Sequence, residues 1–238
     1  MLVADADSQL NINPLDRAPW SSLTGDHQHL ATFDASRRAA KYRKDVGLFG
    51  ALDIPDAAGW DAAAAITRPG GIFGVFQADV ELPTEGWEVL FHEQTDQLVA
   101  GKMRQSEAPA KIVPLGSSHV GAMVELTALA QPGPFKAGTI EMGGYFGIFH
   151  GNQLVAMAGQ RFCPTGYTEV SAVCTHPNAQ KQGYGGALTH HVVNHTRAAE
   201  REAMLHTRHN NTNARHLYET MGFEFRRQVD VVVARRLI

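Results

Sequence analysis

The sequence contains no stretch approaching the roughly 20 consecutive apolar residues that a membrane-spanning helix needs. It also lacks a basic start followed by an apolar run between Met1 and Asn13, so no signal peptide is expected. Cysteine is scarce: Cys163 and Cys174 are the only two, and their spacing fits neither a metal site nor a redox pair. That suits a reducing compartment, and a soluble cytoplasmic protein without a membrane partner is the expectation. An excess of one charge sign is missing too. Lys and Arg number 21 against 24 Asp and Glu, a formal net charge of -3 that gives no reason to expect a nucleic-acid surface. The pairs Arg37-Arg38, Arg226-Arg227 and Arg235-Arg236 read as solvated faces.

What is present is ordinary globular material, 44% apolar and 19% charged, long enough for one large domain or two small ones that share a core. Residues 1–12 read as a loose tail, 13–105 as an N-terminal α/β lobe of unassigned role, and 106–238 as the half that carries chemistry. In the first half, 71–76 and 87–91 are strand-like and 61–66 is helix-like. The polar, proline-bearing stretch 103–110 is the candidate boundary. Leu115 to Ala130 then reads as a helix capped by Ser117 or Ser118, with Met123, Leu126 and Leu129 on one stripe. Strands are expected at 145–150, 154–162 and 167–174. A glycine loop leads into a helix at 183–199, followed by a strand at 203–207, a helix at 212–221 stopped by Gly222, and a long strand at 223–237. This alternation implies an α/β sheet with ligand sites at the strand ends.

The loop Gln180-Lys181-Gln182-Gly183-Tyr184-Gly185-Gly186 places three glycines in four residues at the start of a helix. Glycine costs a helix about 1 kcal/mol relative to alanine, so a cluster needs a reason. One is access: with no Cβ atoms in the way, the free N–H groups of the first turn and the helix dipole favour an anion such as a pyrophosphate. A flexible strand-to-helix turn is the alternative. No lysine followed by Ser or Thr closes the loop as in a nucleotide P-loop, and Leu188 stands where a dinucleotide fingerprint has its third glycine.

Gln180, Gly183 and Gly185 match the loop signature of the GNAT superfamily of N-acetyltransferases. The preceding Val173-Cys174-Thr175-His176-Pro177 resembles its cofactor strand. About 25 residues on, Asn211-Thr212-Asn213-Ala214-Arg215-His216-Leu217-Tyr218-Glu219-Thr220-Met221-Gly222-Phe223 matches the family's N-x-x-A-x-x-L-Y-x-x-x-G-F helix. The likeness covers roughly residues 112–238, and the first half is similar to the leading region of bacterial two-lobed members. The resemblance implies a mixed α/β fold: a central, mostly antiparallel sheet flanked by helices, with the N-terminal lobe a degenerate GNAT-like half. It implies acetyl-CoA as acyl donor, its pyrophosphate on Gln180, Lys181, Gln182, Gly183, Tyr184, Gly185 and Gly186, its pantetheine arm along Val173, Cys174 and Thr175, and Asn211 touching that arm. It implies no metal, a small-molecule or peptide amine as acceptor, Tyr218 as the acid for the departing thiolate, and a main-chain N–H near Val173 as oxyanion donor. An alkyl ammonium with a pKa of about 10.4 must lose a proton before it attacks. Glu169, fourteen residues before Gly183, is the candidate base at the spacing of some family members, with a water relay as the alternative. A homodimer is compatible with the reading, and a CoA-binding sensor or scaffold lobe without turnover is the alternative function.

His190, His191 and His195 lie on the loop's helix, where packing roles are expected, since no glutamate follows His191 as a H-E-x-x-H metal site requires. His206 is expected in a core or hydrogen-bonded role. Cys174 has no evident base partner for an acyl-enzyme route. Pro132-Gly133-Pro134-Phe135 reads as a rigid loop that, by the resemblance, borders the acceptor pocket.

Overall fold

The computed structural model describes residues 12–104 and 109–237, so most of the expected tail and the middle of the 103–110 boundary fall outside the described residues. Eleven strands form one mixed sheet. In chain order they are β1 (Ala31–Phe33), β2 (Ala39–Tyr42), β3 (Phe49–Leu52), β4 (Ile72–Gln77), β5 (Trp87–Ala100), β6 (Val113–Leu115), β7 (Tyr145–His150), β8 (Gln153–Gln160), β9 (Tyr167–Thr175), β10 (Glu202–Arg208) and β11 (Phe223–Arg236). Five α-helices accompany them: α1 (Ala18–Thr24), α2 (Ala57–Ala65), α3 (Val120–Ala130), α4 (Tyr184–Ala198) and α5 (Thr212–Met221). No helix among the described residues is long and apolar enough to cross a membrane.

Local chemistry sets the element ends. The Asp56 carboxylate accepts the Gly59 N–H at 2.8 Å to start α2, and Asn211 does the same for α5 through the Ala214 N–H at 3.1 Å. Gly222, at φ 107°, ends α5 in the left-handed region that glycine enters without strain. The helix read from Leu115 begins later: Leu115 belongs to β6, Ser117–His119 is a 3-10 turn, and α3 starts at Val120. Leu129 is 59% exposed, so the buried stripe of α3 is Met123 and Leu126 without it.

The strand order is β1-β2-β3-β4-β11-β5-β10-β9-β8-β7-β6. Each half supplies a parallel strand–helix–strand unit, β3–α2–β4 and β9–α4–β10. Each half also sends its last strand into the other: β5 lies between β10 and β11, and β11 lies between β4 and β5. The helices divide by face. Val229 and Val231 of β11 pack with α1, while Val232 and Ala234 pack with α2. Phe146 packs with α4 and its neighbour Tyr145 with α3. By the two-residue period of a strand, α1 and α3 cover one face and α2, α4 and α5 the other.

An aromatic cluster seals the halves together. Phe162 is fully buried and meets Tyr42 at 6.1 Å, Phe49 at 6.2 Å and Phe76 at 5.8 Å between ring centroids, all three from the first half. With strands exchanged and this cluster shared, neither half can open alone. All three tryptophans (Trp20, Trp60, Trp87) lie in the first half, so their fluorescence reports that half. Leu205→Ala, in the second half, is expected to cost about 2–5 kcal/mol and to shift the fluorescence and far-ultraviolet dichroism melts together. Two separated transitions would contradict a single cooperative unit.

Candidate active site

β9 and β10 pair only at their first residues, Tyr167–Glu169 against Glu202–Met204. Beyond that point they part. β10 continues against β5, β9 continues against β8, and the edge of β9 from Val170 to Thr175 faces the gap. A bulge in the β8–β9 pairing falls here, with Ala172 at φ 52°. Such an edge carries main-chain groups ready for an added extended ligand. Side chains of this segment do not all face the gap: Cys174 is buried against α3, with Met123 and Leu126. Burial pushes its thiol up to about 12, which removes the thiolate an acyl-enzyme route needs.

At the end of β9 the chain passes through Pro177–Ala179 into the glycine loop. Lys181 and Gly183 both have left-handed backbones, φ 63° and 77°, and α4 begins at Tyr184. The Ala187 N–H donates to the Gly183 carbonyl and closes the first turn, so the preceding N–H groups open toward the loop. The Tyr184 hydroxyl donates to Gln182 Oε1 at 2.7 Å and lies 2.8 Å from His150 Nε2, which fixes the loop from below. Only the first glycine is demanded by backbone conformation. A Cβ at Gly185 would make ordinary contact with Val173 Cγ1 at 3.6 Å, and one at Gly186 would meet nothing within 4 Å. Packing therefore gives no reason for glycine at these two positions, whereas close approach of a ligand does.

The loop borders a groove of about 420 Å³ that brings together Thr175 and Gln180 to Gly186 with Leu217, Thr220 and Met221 of α5. Arg104 and Lys181 line it and no carboxylate does, so among the described residues its field suits an anion. Asn211 uses its carboxamide oxygen to cap α5, which leaves its NH2 group as a donor. Tyr218 stacks edge-on against Phe223 at 5.8 Å, and burial raises its pKa, so the hydroxyl stays protonated. No hydrogen bond ties that hydroxyl to another described residue.

Glu169 lies elsewhere. Its strand neighbour Val170 packs on the α4 face, so Glu169 points to the α1 face, where its side chain is only 1% exposed. Arg161 grips it in bidentate fashion at 2.6 and 2.7 Å, and His206 Nδ1 donates to Oε1 at 2.7 Å. Burial alone would raise this carboxyl, but Arg161 and His206 outweigh it and bring it down to about 2. His206, its pKa lowered chiefly by burial, is the neutral Nδ1–H tautomer, and its Nε2 accepts from Gln97 Nε2 at 2.9 Å. Gln97 in turn donates to the Leu15 carbonyl and accepts from Arg226, which pairs with Asp16 at 2.7 Å. The expected hydrogen-bonded role of His206 is therefore met. Two of the three α4 histidines pack, His191 and His195 lying edge-on to Phe146 at 4.4 and 5.0 Å, while His190 lines the groove.

The sequence reading missed a second polar cluster. Asp96 of β5, fully buried, accepts from His209 Nδ1 at 2.9 Å and from Arg215 at 2.8 Å, and the Gln228 amide reaches it at 3.3 Å. Burial works against its charge, but these hydrogen bonds prevail and hold the carboxyl below its ordinary range. His209 is 58% exposed just past the end of β10, and its Nδ1 also lies 2.9 Å from the Gln228 amide. No local signal marks this cluster, because 113 residues separate Asp96 from His209.

The Glu169 network predicts an acid-labile hinge. A carboxyl depressed in the fold contributes stability that is full above its unfolded pKa of about 4.3 and is lost as pH falls toward the folded value. Glu169→Gln should cost about 3–5 kcal/mol at pH 7 and flatten the loss of stability between about pH 4.5 and 2. Denaturation curves showing the same acid dependence in both proteins would contradict the assignment.

Comparison with known proteins agrees with this geometry. A family model described as FR47-like protein matches residues 145–232, which span β7 to most of β11. No curated protein sequence matches the chain. A solved structure from Novosphingobium aromaticivorans, described as an acetyltransferase from the GNAT family, aligns at 28% identity over 94% of this chain and 99% of its own, with a TM-score of 0.86. A GCN5-related N-acetyltransferase from Kribbella flavida aligns at 16% identity over 92% and 95%, with a TM-score of 0.60. A GNAT-family acetyltransferase from Colwellia psychrerythraea aligns at 14% identity over 98% of both chains, with a TM-score of 0.52. The first of these covers both halves, strand exchange region included. The chain carries an FR47-like region in its C-terminal half and shares, over both halves, the two-lobed fold of a GNAT-family acetyltransferase.

Proposed function

We propose that this protein transfers the acetyl group of acetyl-CoA to a primary amine, carried by a small molecule or peptide, by direct attack with both substrates bound. The observation that carries the reading is the glycine pair at 185 and 186, needed neither by packing nor by positive φ, beside a cationic groove and the free edge of β9. The N–H groups of the Gly183–Gly186 turn suit a pyrophosphate, the edge of β9 from Val173 to Thr175 suits an extended amide-bearing arm, and the Asn211 NH2 is a donor for the same arm. Acetyl-CoA supplies the activated carbonyl and a thiolate leaving group of pKa about 8.5. Tyr218 of α5, its pKa raised by burial and its hydroxyl without a hydrogen-bond partner among the described residues, is the donor proposed for that sulfur.

The amine must be deprotonated, and Glu169 is poorly suited to do it. Its oxygens are held by Arg161 and His206, and its carboxyl titrates near 2. The reading gives Glu169 a positioning role and assigns the proton to His209. His209 Nδ1 lies 2.9 Å from both the Asp96 carboxylate and the Gln228 amide, and the ring is exposed. Cys163 and Cys174, both free thiols, suit the reducing cytoplasmic setting that the proposal includes.

The experiment is a panel of primary amines incubated with acetyl-CoA, scored by thiol release and by the mass of the acceptor. Amine-dependent thiol release is expected. CoA binding without release across the panel would favour a sensor and overturn the transferase reading. With an accepted amine in hand, Tyr218→Phe and His209→Gln should each lower kcat, within the roughly 10²–10⁴ range of acid–base catalysis, while CoA affinity is retained. Unchanged turnover in either variant removes that residue from the mechanism.

A further inference from the structure

A second cavity, of about 530 Å³, lies in the first half at the end of the sheet where β3 and β4 begin. Its wall carries Lys41 and Lys44 from the end of β2, Arg68 from the turn after α2, and Lys136 from the second half. Four cations line it and no carboxylate does. Asp45, adjacent in sequence to the cavity's Lys44, and Glu141, on the segment after Lys136, both pair with Arg43, at 3.2 and 2.7 Å.

The cations are held rather than loose. Lys41 Nζ donates to the Ile66 carbonyl, and Lys136 Nζ donates to the Lys44 carbonyl at 2.7 Å and the Gly47 carbonyl at 3.4 Å. An ammonium has three N–H donors, so each keeps at least one for a ligand. Thr67, also in the wall, is 3% exposed, and its hydroxyl has no hydrogen-bond partner among the described residues. Buried hydroxyls are ordinarily satisfied. Burial also depresses the Lys41 ammonium, a penalty that a bound anion would relieve. The volume falls in the range of small-molecule pockets, about 300–1,000 Å³, and exceeds what a lone phosphate fills.

We propose that this cavity binds a phosphate-bearing small molecule through Lys41, Lys44, Arg68 and Lys136, at a site separate from the glycine-loop groove. It does not depend on the transferase reading, because no residue of the cavity belongs to that groove. Since Lys136 comes from the second half, an occupant would also tie the α3–β7 segment to the first half.

The test titrates inorganic phosphate, with sodium chloride at matched ionic strength as control, into the protein with and without saturating CoA. Calorimetry is expected to show phosphate binding that persists when CoA is present. The double variant Lys44→Ala/Arg68→Ala, whose side chains are exposed and hold no part of the fold together, should weaken it at least tenfold. Wild-type binding confined to the CoA-free protein, equal affinity in the double variant, or citrate outcompeting phosphate would each overturn the proposal. The variant's melting midpoint without phosphate checks that the fold is intact.

Discussion

A carboxylate buried at the last point where two parallel strands still touch must be neutralised from every side, and here that requirement organises the molecule. Glu169 pairs across to Met204, and one residue later β9 and β10 separate. Arg161 and His206 close on the carboxylate from β9's two neighbours in the fold, the segment after β8 and β10. Donation runs from Arg226 through Gln97 and His206 to Glu169, and Arg226 also pairs with Asp16, so that the hinge of the cleft is wired to the first half. A network of this kind is worth having only when every member is satisfied, since an unpaired charge at such depth is strongly destabilising.

The two halves use the same strand–helix–strand unit to opposite ends. In the second, Gly183 to Gly186 leave the first turn of α4 open. In the first, the corresponding turn of α2 is closed by its own sequence: Asp56 places its carboxylate on the Gly59 N–H. Arg38 pairs with both Asp53 and Asp56. An anionic ligand would meet a carboxylate already in place. The first half thus contributes β5 to the shared sheet, while an open helix start is found at residues 183–186.

The second half was legible because its signals are local and strong. The turn at 151–152, the glycines at 183–186 and the Asn211 cap with its Gly222 stop each fix a boundary within a few residues, and α5 falls on 212–221 as read. The first half was harder. β1, β2 and β3 are three or four residues long and contain alanine or glycine rather than β-branched runs, so periodicity has nothing to register. The strand read at 87–91 extends to Ala100 because β10 and β11 hold it on both sides, a tertiary effect absent from its own residues. In the site, the loop was readable as an anion cradle, but the surroundings of Glu169 were not. A glutamate in a strand carries no mark of the arginine eight residues back or the histidine thirty-seven residues on that will hold it ionised. The Asp96–His209 pair was invisible for the same reason.

The account stands on the claim that the Gly183–Gly186 turn is shaped for the pyrophosphate of CoA. Calorimetric titration of CoA into the wild-type protein and into Gly186→Val tests it directly, because a Cβ at position 186 meets nothing within 4 Å beyond its own helix. The account predicts measurable binding to the wild type and at least a hundredfold loss in the variant, with an unchanged melting temperature in the absence of CoA. Equal affinity in the two proteins would contradict it.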